Sequence, residues 1–417
     1  MSERNWYVGV DWASRNHQVC VLDGAGAVRG ERVFAHSGPG LWAMASWILE
    51  TVGEVAPATV GVAIETPHGP VVESLLAHGL AVHSINPKQL DRFRDRYSPA
   101  GAKDDRRDAR VLAAALRTDP HCLRRVAALA PELVELREST RLRTELLGER
   151  TRLINRMHDM LWRYYPAFNW LVGDDLAAPW AQALWQRVPT PAAARGTRLS
   201  TYEKLLQKHR IRRFDAAQLK AQLTERPPHI ERATATAAEA HARLLAQRLA
   251  LVAEQLADAE ARIDALLGEL GGADPGSADA PTEATAKPRD ATILRSMIGI
   301  GRSVLSILLA EAGDVLSRRD CRALRCLCGT APVTRQSGRT RTVTRRLAVH
   351  GRLRDAVLHW ARVAVQHDAA CSAKYRALRA RGHGHYRALR SVADGLLRIA
   401  CAMLRDGTLY EPRCVQP

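Results

Sequence analysis

The stretch Trp6-Tyr7-Val8-Gly9-Val10-Asp11 decides the fold of the first part of this 417-residue chain. Its β-branched and aromatic composition is typical of a strand, and four similar runs follow, separated by turns. Strands are predicted at 17–23, 28–35, 60–65 and 81–85, and helices at 41–52 and 108–116. Three successive strands followed by alternating strands and helices predict an α/β domain in which helices flank a mixed sheet.

Beyond residue 130 the apolar pattern becomes helical. Residues 131–165 predict one long helix, and a second long helix carries apolar side chains whose spacing alternates between four and three residues. These positions are Leu245, Leu249, Val252, Leu256, Ala259, Ile263, Leu266 and Leu270. The pattern is that of a coiled-coil seam, although a long amphipathic helix packed within its own domain would show it too. Either interpretation suits antiparallel pairing with the 131–165 helix or with a partner subunit.

Composition divides the chain into four segments. An α/β domain at 1–130 precedes a helical middle at 131–270, in which 166–228 is irregular and contains the basic run Lys208-His209-Arg210-Ile211-Arg212-Arg213. Residues 271–290, rich in Gly, Ala, Pro, Asp and Thr, predict a linker before a mainly α-helical domain at 291–417. No apolar run approaches the ~20 residues of a membrane span, and no signal-peptide pattern is present, which predicts a cytoplasmic protein without membrane partners.

Positive charge is concentrated near the C-terminus. The formal net charge is +17, and residues 291–417 contain 23 Lys and Arg against 8 Asp and Glu, a net of +15. All but one of these bases are arginine, whose planar guanidinium can hold two phosphate oxygens at once. The alternative is a merely basic domain, but a solvated face would mix both signs. The last segment is therefore predicted to bind nucleic acid.

Four carboxylates occupy positions from which they can converge. Asp11 ends the first strand and Glu65 a later one, whereas Asp105 and Asp108, three residues apart at the start of a helix, project from one face. Such a cluster repels itself unless cations neutralise it, and carboxylate oxygens are ligands that Mg²⁺ accepts. Taken alone, each acid would more often be a turn residue or a residue that interacts favourably with the dipole at a helix N-terminus. The predicted metal site depends on their joint placement.

The C-terminal segment holds two further candidate features. Gly299 and Gly301 predict a tight turn between helices, which either lets backbone N–H groups approach a phosphate or simply joins the helices. Ser337, beside Gly338 in a predicted exposed loop, is surrounded in sequence by Arg335, Arg339, Arg341, Arg345 and Arg346. A serine attacks phosphorus only when a base removes its proton and cations neutralise the phosphate. The arginines could neutralise the phosphate, but the sequence shows no base that would remove the serine proton. Judged from the residues alone, a serine of this kind is usually structural.

Together these motifs resemble a known family. Gly9-Val10-Asp11 before a second strand, Glu65 after an apolar run and Lys103-Asp104-Asp105-Arg106-Arg107-Asp108-Ala109 are similar to the DEDD transposases of bacterial insertion sequences, the one-hundred-and-ten family. The N-terminal domain of that family resembles the RuvC Holliday-junction resolvase, an RNase H-like fold. The run Ala331-Pro332-Val333-Thr334-Arg335-Gln336-Ser337-Gly338 resembles its second domain, whereas Val349-His350-Gly351 departs from the more basic family pattern.

The resemblance implies an enzyme that cuts and rejoins DNA. It implies that Asp11, Glu65, Asp105 and Asp108 bind metal and take part in catalysis. The family spacing favours Asp105 over Asp104. Ser337 matches the serine that becomes covalently attached to DNA. The resemblance also implies Mg²⁺, a structured guide RNA, and a composite site completed between subunits of a homodimer or homotetramer.

Two other functions stay open. One is a metal-dependent junction nuclease, which would need the four acids but not Ser337. The other is a non-catalytic nucleic-acid-binding protein. A zinc site is a further alternative for the clustered Cys321, Cys326 and Cys328, for which buried free thiols are the preferred interpretation.

Overall fold

The N-terminal strands assemble into one six-stranded sheet of order β3-β2-β1-β4-β5-β6. The computed structural model of the protein describes residues 5–96, 104–126, 128, 130–226, 229–271 and 289–411. The strands are β1 (Trp6–Asp11), β2 (Asn16–Asp23), β3 (Val28–Ala35), β4 (Val60–Ile64), β5 (Ala81–Ser84) and β6 (Arg124–Arg125). Strands β1, β4 and β5 run parallel, and β2, β3 and β6 pair antiparallel with their neighbours. The predicted mixed sheet is confirmed, and β6 is an addition to it.

Helices cover both faces of this sheet: α1 (Gly38–Val52), α2 (Pro70–Ala77), α3 (Pro87–Asp95) and α4 (Asp105–Thr118). Successive side chains of a strand point to opposite faces, so each strand contributes to two cores. Val8, Val10 and Val62 pack with apolar residues of α1 and α2. On the other face Ala63 packs with Val111 and Leu112 of α4. The α4 helix begins three residues earlier than the pattern at 108–116 predicts, because Asp104 caps it.

Gly9 determines how closely α4 approaches the sheet. A Cβ atom at this position would lie 1.8 Å from the carbonyl oxygen of Ala109 and 2.7 Å from the backbone nitrogen of Ala113. Any side chain on residue 9 would therefore push α4 away from β1. The glycine of the Gly9-Val10-Asp11 motif brings the first turn of α4, with its two aspartates, toward the end of β1.

Residues 1–129 and 130–417 form two compact units. The second is built on two long helices that pack along each other, α5 (Pro131–Tyr164) and α11 (Arg232–Gly271). Arg262 pairs with Glu135 and Arg248 with Glu149, so the two helices run antiparallel. All positions of the predicted seam are buried except Leu270, which is half-buried. Because α5 of the same chain covers the seam, it is not the free dimerisation surface that the sequence allowed.

In the described residues between α5 and α11, where the sequence predicted irregular structure, there are five α-helices: α6 (Pro166–Val172), α7 (Pro179–Arg187), α8 (Pro191–Gly196), α9 (Leu199–Lys208) and α10 (Ala216–Leu223). The prediction was wrong because each helix is too short to show a clear apolar period. Three of them begin at a proline, which suits the first helical position and is not a sign of irregular chain there. Trp180 and Trp185 fill the core of these helices together with Tyr165 and Phe168.

The C-terminal part is mainly helical, as predicted: α12 (Asp290–Arg295), α13 (Arg302–Ser317), α14 (Cys321–Leu327), α15 (Gly351–His367), α16 (Ala369–Ala380) and α17 (His385–Asp406). A hairpin of β7 (Val333–Ser337) and β8 (Thr340–Thr344) interrupts the helices. The predicted linker falls almost entirely outside the described residues, so the domain boundaries at 270 and 291 stay a prediction.

Burial raises the pKa of the Cys328 thiol to about 12. Among the described helices, none combines the length and apolarity needed to cross a membrane.

Candidate functional site

The four predicted carboxylates come from three elements that meet at one edge of the sheet. Val10 of β1 is in register with Ile64 of β4, so the residues that follow them, Asp11 and Glu65, are neighbours at the same end of two parallel strands. The α4 helix crosses β1 at Gly9, which places its first turn near this end. Asp105 opens that turn and Asp108 follows one turn later on the same face.

Asp11 lies in the combined field of the other three acids. Burial, followed by the negative charges of Asp108 and Asp105, raises the pKa of Asp11 to about 6, with a smaller contribution from Glu65. The positive charge of Arg94 acts in the opposite direction. A bound cation would relieve the repulsion that the neighbouring acids exert on the Asp11 carboxylate.

Asp104 and Asp105 occupy different positions at the start of α4. The Asp104 carboxylate is the N-cap of α4 and accepts a hydrogen bond from the Arg106 backbone nitrogen at 3.4 Å. Asp105 is the first helical residue, is exposed, and contributes to the raised pKa of Asp11. Asp104 therefore caps α4, and the choice of Asp105 as the metal ligand stays a prediction.

Sequence reasoning missed Arg94, a cation built into the acidic cluster. Its Nε donates to Asp108 Oδ1 at 2.6 Å and its Nη2 to Asp108 Oδ2 at 2.8 Å, while its Nη1 binds Asp91. The Asp108 side chain is 0% exposed. A fully buried carboxylate needs such a partner, but the sequence does not say which of the neighbouring arginines supplies it.

We expect the Arg94→Met variant to unfold more easily in the absence of metal. Removing one partner of a buried ion pair leaves the other charge buried and unpaired, which costs about 3–5 kcal/mol. Urea unfolding of the metal-free protein measures this loss. Arg96→Met is the matched control, because Arg96 pairs with Asp119 but is 54% exposed, and such pairs contribute at most about 1 kcal/mol. Equal losses of unfolding free energy in the two variants would show that the Arg94–Asp108 pair stabilises the protein no more than an exposed pair does.

The donor set fits a hard divalent cation. Asp11 and Glu65 are half-buried and Asp105 is exposed, so three carboxylates are accessible. Asp108 keeps free lone pairs although both oxygens bind Arg94, because a carboxylate has about four acceptor positions. The four acids are nonetheless spread: in the described part of the chain, the trio of ligand atoms found within 4.8 Å of one another is Asp119, His121 and Cys122. That Asp119 carboxylate already accepts hydrogen bonds from Thr118 and Arg96.

Ser337 lies at the tip of the β7–β8 hairpin. It is the last residue of β7 and pairs with Thr340, and its side chain is exposed as predicted, although the residue belongs to a strand and not to a loop. Gly338 and Arg339 form the two-residue turn, and Gly338 has φ +53°, a left-handed conformation that favours glycine. The glycine beside the serine is thus required by the turn.

The hairpin register sorts the predicted arginines by face. Directly paired residues of an antiparallel ladder share a face, and successive residues alternate. Arg335 therefore lies on the same face as Ser337, whereas Arg341, paired with Gln336, lies on the other. Arg339 is in the turn. Of the arginines that surround Ser337 in sequence, Arg335 is the one that the strand pleat places beside it.

The arginines of the hairpin and of the residues just after it form no ion pairs within the described part of the chain. Arg335, Arg339, Arg341, Arg345 and Arg346 form no salt bridge with a described residue. Elsewhere in this unit the acids are engaged with arginines, as Asp394 is with Arg325 and Glu311 with Arg352. Residues 335–346 therefore carry five arginines that form no ion pair with a described residue.

Two arginines of α17 join this charge and were missed by sequence reasoning. Burial, followed by the positive charges of Arg345 and Arg387, lowers the pKa of Arg390. Cations held close together in this way are stabilised by an anion such as a phosphate. The three-residue spacing of Arg387 and Arg390, which places both on one side of a helix, is the signal in the sequence that could have found them.

The predicted glycine turn is present between α12 and α13. Gly299 has φ +86° and packs against Trp360, whose Nε1 donates to the carbonyl oxygen of Ile298 at 2.9 Å. Gly301 is the N-cap of α13. Packing on Trp360 accounts for Gly299 as a helix–helix turn, and phosphate binding by this turn stays a prediction.

Comparison with known proteins agrees with both sets of motifs. A DEDD transposase family matches residues 8–166, and the IS116/IS110/IS902 transposase family matches residues 291–376. A putative transposase of the IS117 mini-circle from Streptomyces coelicolor is 32% identical over 397 residues, which cover 94% of this chain and 92% of that protein. Putative transposase y4uE from Sinorhizobium fredii is 55% identical over 214 residues, 51% of this chain and 59% of that protein.

Two features define the class of protein: an α/β unit with an acidic sheet edge, and a basic C-terminal part with a matched family motif. They are the features of a transposase, an enzyme that recombines DNA. The chain belongs to the IS110 family of insertion-sequence transposases.

Proposed function

We propose that this transposase cuts and rejoins the DNA of an insertion sequence with two groups of residues: a divalent-metal site of Asp11, Glu65, Asp105 and Asp108, and a nucleophilic serine, Ser337. The observation that carries the proposal is the placement of the four acids at one end of β1 and β4, where the register puts Asp11 beside Glu65 and the close crossing of α4 at Gly9 brings Asp105 and Asp108 near them. The negative charges of Asp108, Asp105 and Glu65 on Asp11 support it. The order of the mixed sheet and the DEDD family match support a RuvC-like fold for this unit.

The four carboxylates are suited to hold a divalent cation, for which Mg²⁺ is our proposal. A bound cation would neutralise the acids and polarise the oxygens of a phosphodiester. The residues themselves set the geometry: adjacent strands hold Asp11 and Glu65 side by side, and Gly9 lets α4 bring Asp105 and Asp108 close. Arg94 neutralises part of the cluster until a cation is present and holds the Asp108 carboxylate in place.

Ser337 is proposed to attack a DNA phosphorus atom. Its Oγ loses its proton and forms a bond to phosphorus, the bond from phosphorus to one sugar oxygen of the strand breaks, and that oxygen takes up one proton, so the proton released by the serine is balanced. The phosphodiester is thereby exchanged for a protein–DNA ester, so the strand can be rejoined by the reverse attack without a high-energy cofactor. Arg335, on the same hairpin face, is placed to stabilise negative charge on the phosphate oxygens.

A guide RNA and a homo-oligomer are further parts of the proposal. Both come from the family resemblance described above. The unpaired hairpin arginines are compatible with RNA as well as DNA, because both offer phosphates. A homo-oligomer would need a surface other than the α11 seam, which α5 covers.

The metal site makes a prediction about pH. The pKa of Asp11 is raised from 3.8 to about 6, so the folded protein holds this proton more tightly than the unfolded chain does. In metal-free protein the stability contributed by this group is present below about pH 4 and is lost as pH rises through about 6. We expect Asp11→Asn to flatten that decline, and thermal melting at a series of pH values with a chelator present measures it.

The same melting curves test metal binding. Addition of Mg²⁺ near neutral pH is expected to raise the melting temperature of the wild-type protein, because a ligand that binds only the folded state stabilises it. Asp11→Asn should respond much less. A wild-type melting temperature that neither Mg²⁺ nor Mn²⁺ changes would argue against a metal site in this cluster.

A further inference from the structure

We propose that the exposed face of α9 and the loop after it bind the phosphate backbone of duplex DNA. This α9 cationic surface consists of Lys204, Lys208, Arg210 and Arg212. It lies in the part of the chain between the two family matches, which end at residue 166 and resume at residue 291. The inference adds a DNA contact outside both proposed catalytic groups and rests on the proposed function only in taking DNA as the substrate.

A local excess of charge marks this segment. Residues 187–213 contain eight Lys and Arg and one acidic residue, Glu203. This excess is separate from that of the C-terminal segment. The surrounding helical region is not basic in the same way, because its arginines alternate with glutamates along α5 and α11. A second polyanion-binding surface would have this charge distribution.

The fold points these cations away from the core. Tyr202 and Leu206 form the buried side of α9, and the Tyr202 hydroxyl donates to the carbonyl oxygen of Ala194 at 3.1 Å. Lys204 and Lys208 each follow one of these residues by two positions, about 200° around the helix, so they project from its opposite side. They are one turn apart, and both side chains are exposed.

The loop that continues this surface is held in one conformation. The backbone nitrogen of Ile211 donates to the Leu206 carbonyl oxygen at 2.9 Å, and Arg210 adopts φ +55°. Arg213 anchors the end of the loop, since its Nη2 lies 2.6 Å from Asp175 Oδ2 and its guanidinium lies over the rings of Trp180 and Phe214 at 5.1 and 5.0 Å. Arg210 and Arg212 are exposed on this anchored loop.

Among the described residues, the four cations lack the acidic partners that three exposed arginines of α11 have. Lys204, Lys208, Arg210 and Arg212 form no ion pair with a residue that the structure describes. By contrast, Arg243 pairs with Glu239, Arg248 with Glu149 and Arg262 with Glu135. Four unpaired cations within nine residues repel one another. The negative charges of a phosphate backbone would relieve that repulsion, and binding would also release counterions from the DNA.

A matched pair of triple variants tests the proposal in the full-length chain. The test variant is Lys204→Gln, Lys208→Gln and Arg212→Gln, and the control is Arg243→Gln, Arg248→Gln and Arg262→Gln. Both remove three exposed cations and give the same net charge. Binding of a labelled random-sequence DNA duplex is measured by fluorescence anisotropy from about 50 to 300 mM salt. Thermal melting checks that both variants remain folded.

We expect the test variant to bind at least about tenfold more weakly at low salt, and its salt slope to fall by about 2–3, since each duplex phosphate contact contributes about 0.9. The control should retain nearly the wild-type slope. Equal losses in both variants would show an effect of net charge alone and overturn the proposal. A loss seen with a single-stranded RNA but not with the duplex would assign the surface to RNA and overturn it as well.

These outcomes can be separated from those of the catalytic proposal. Asp11→Ala and Ser337→Ala are expected to keep the duplex affinity, because neither removes a cation of the α9 surface. If both variants recombine normally while the α9 triple variant loses affinity, the catalytic proposal fails and this inference stands. If both variants instead lose recombination while the α9 triple variant keeps its duplex affinity, the catalytic proposal stands and this inference fails.

Discussion

The Ser337→Ala variant is expected to bind DNA with wild-type affinity but to form no covalent protein–DNA product and no recombined strand. The substitution deletes one oxygen and no charge from an exposed hairpin tip, so the fold and the phosphate contacts should be unaffected. Loss of an attacking nucleophile lowers rates by several orders of magnitude, about 10⁶-fold in a well-studied serine enzyme. Ser337→Cys is expected to retain a trace of activity, since sulfur is nucleophilic but larger.

The measurement is a denaturing gel of enzyme incubated with labelled DNA, Mg²⁺ and the guide RNA if one is needed. Label that migrates with the wild-type protein and is absent from Ser337→Ala supports the serine mechanism. Thr340→Ala is the matched control, because Thr340 is the cross-strand neighbour of Ser337 on the same face and its substitution also deletes a hydroxyl. If Ser337→Ala cuts and rejoins DNA at the wild-type rate, the junction-nuclease alternative, in which water attacks, is the better one.

Asp11→Ala is expected to abolish recombination while leaving a folded protein that is no less stable without metal. The ionised Asp11 carboxylate destabilises the metal-free protein, because burial and the neighbouring acids raise its pKa to about 6. With a cation bound it becomes a ligand at the centre of the cluster. We expect the rate to fall by more than the 10–100-fold typical of losing an outer-shell partner of a metal. Recombination assays with Mg²⁺ and melting curves without it give the two readouts.

Asp104→Asn is the control for this experiment and decides the role of the neighbouring acids. Asparagine caps a helix as well as aspartate does, so the substitution removes the charge and preserves the N-cap of α4. We expect Asp104→Asn to recombine normally and Asp105→Asn to lose activity as Glu65→Gln does. Full activity of Asp11→Ala, or equal losses in Asp104→Asn and Asp105→Asn, would contradict the assignment of the four ligands.

Local patterns were enough to predict much of the architecture. The β-branched and aromatic composition of residues 6–11 and of the later runs, with turns between them, predicted the strands of the sheet. The same reading placed Asp11 and Glu65 at strand ends, and Asp105 and Asp108 on one turn of a helix. The spacing of four and three along α11 predicted a long helix with a buried seam. All of these features depend on residues close together in the chain.

The sequence by itself thus determined the strands, the long helices, the positions of the candidate acids and the exposed serine. Only the tertiary structure decided that α5 covers the α11 seam, that Arg94 is the cation paired with Asp108, and that Arg335 shares the face of Ser337. The first two are pairings between separate elements, settled by which surfaces exclude water together. The third follows because residues 333–337 form a strand and not the predicted loop. Periodicity reports which side of an element is apolar, and it does not report which other element will cover that side.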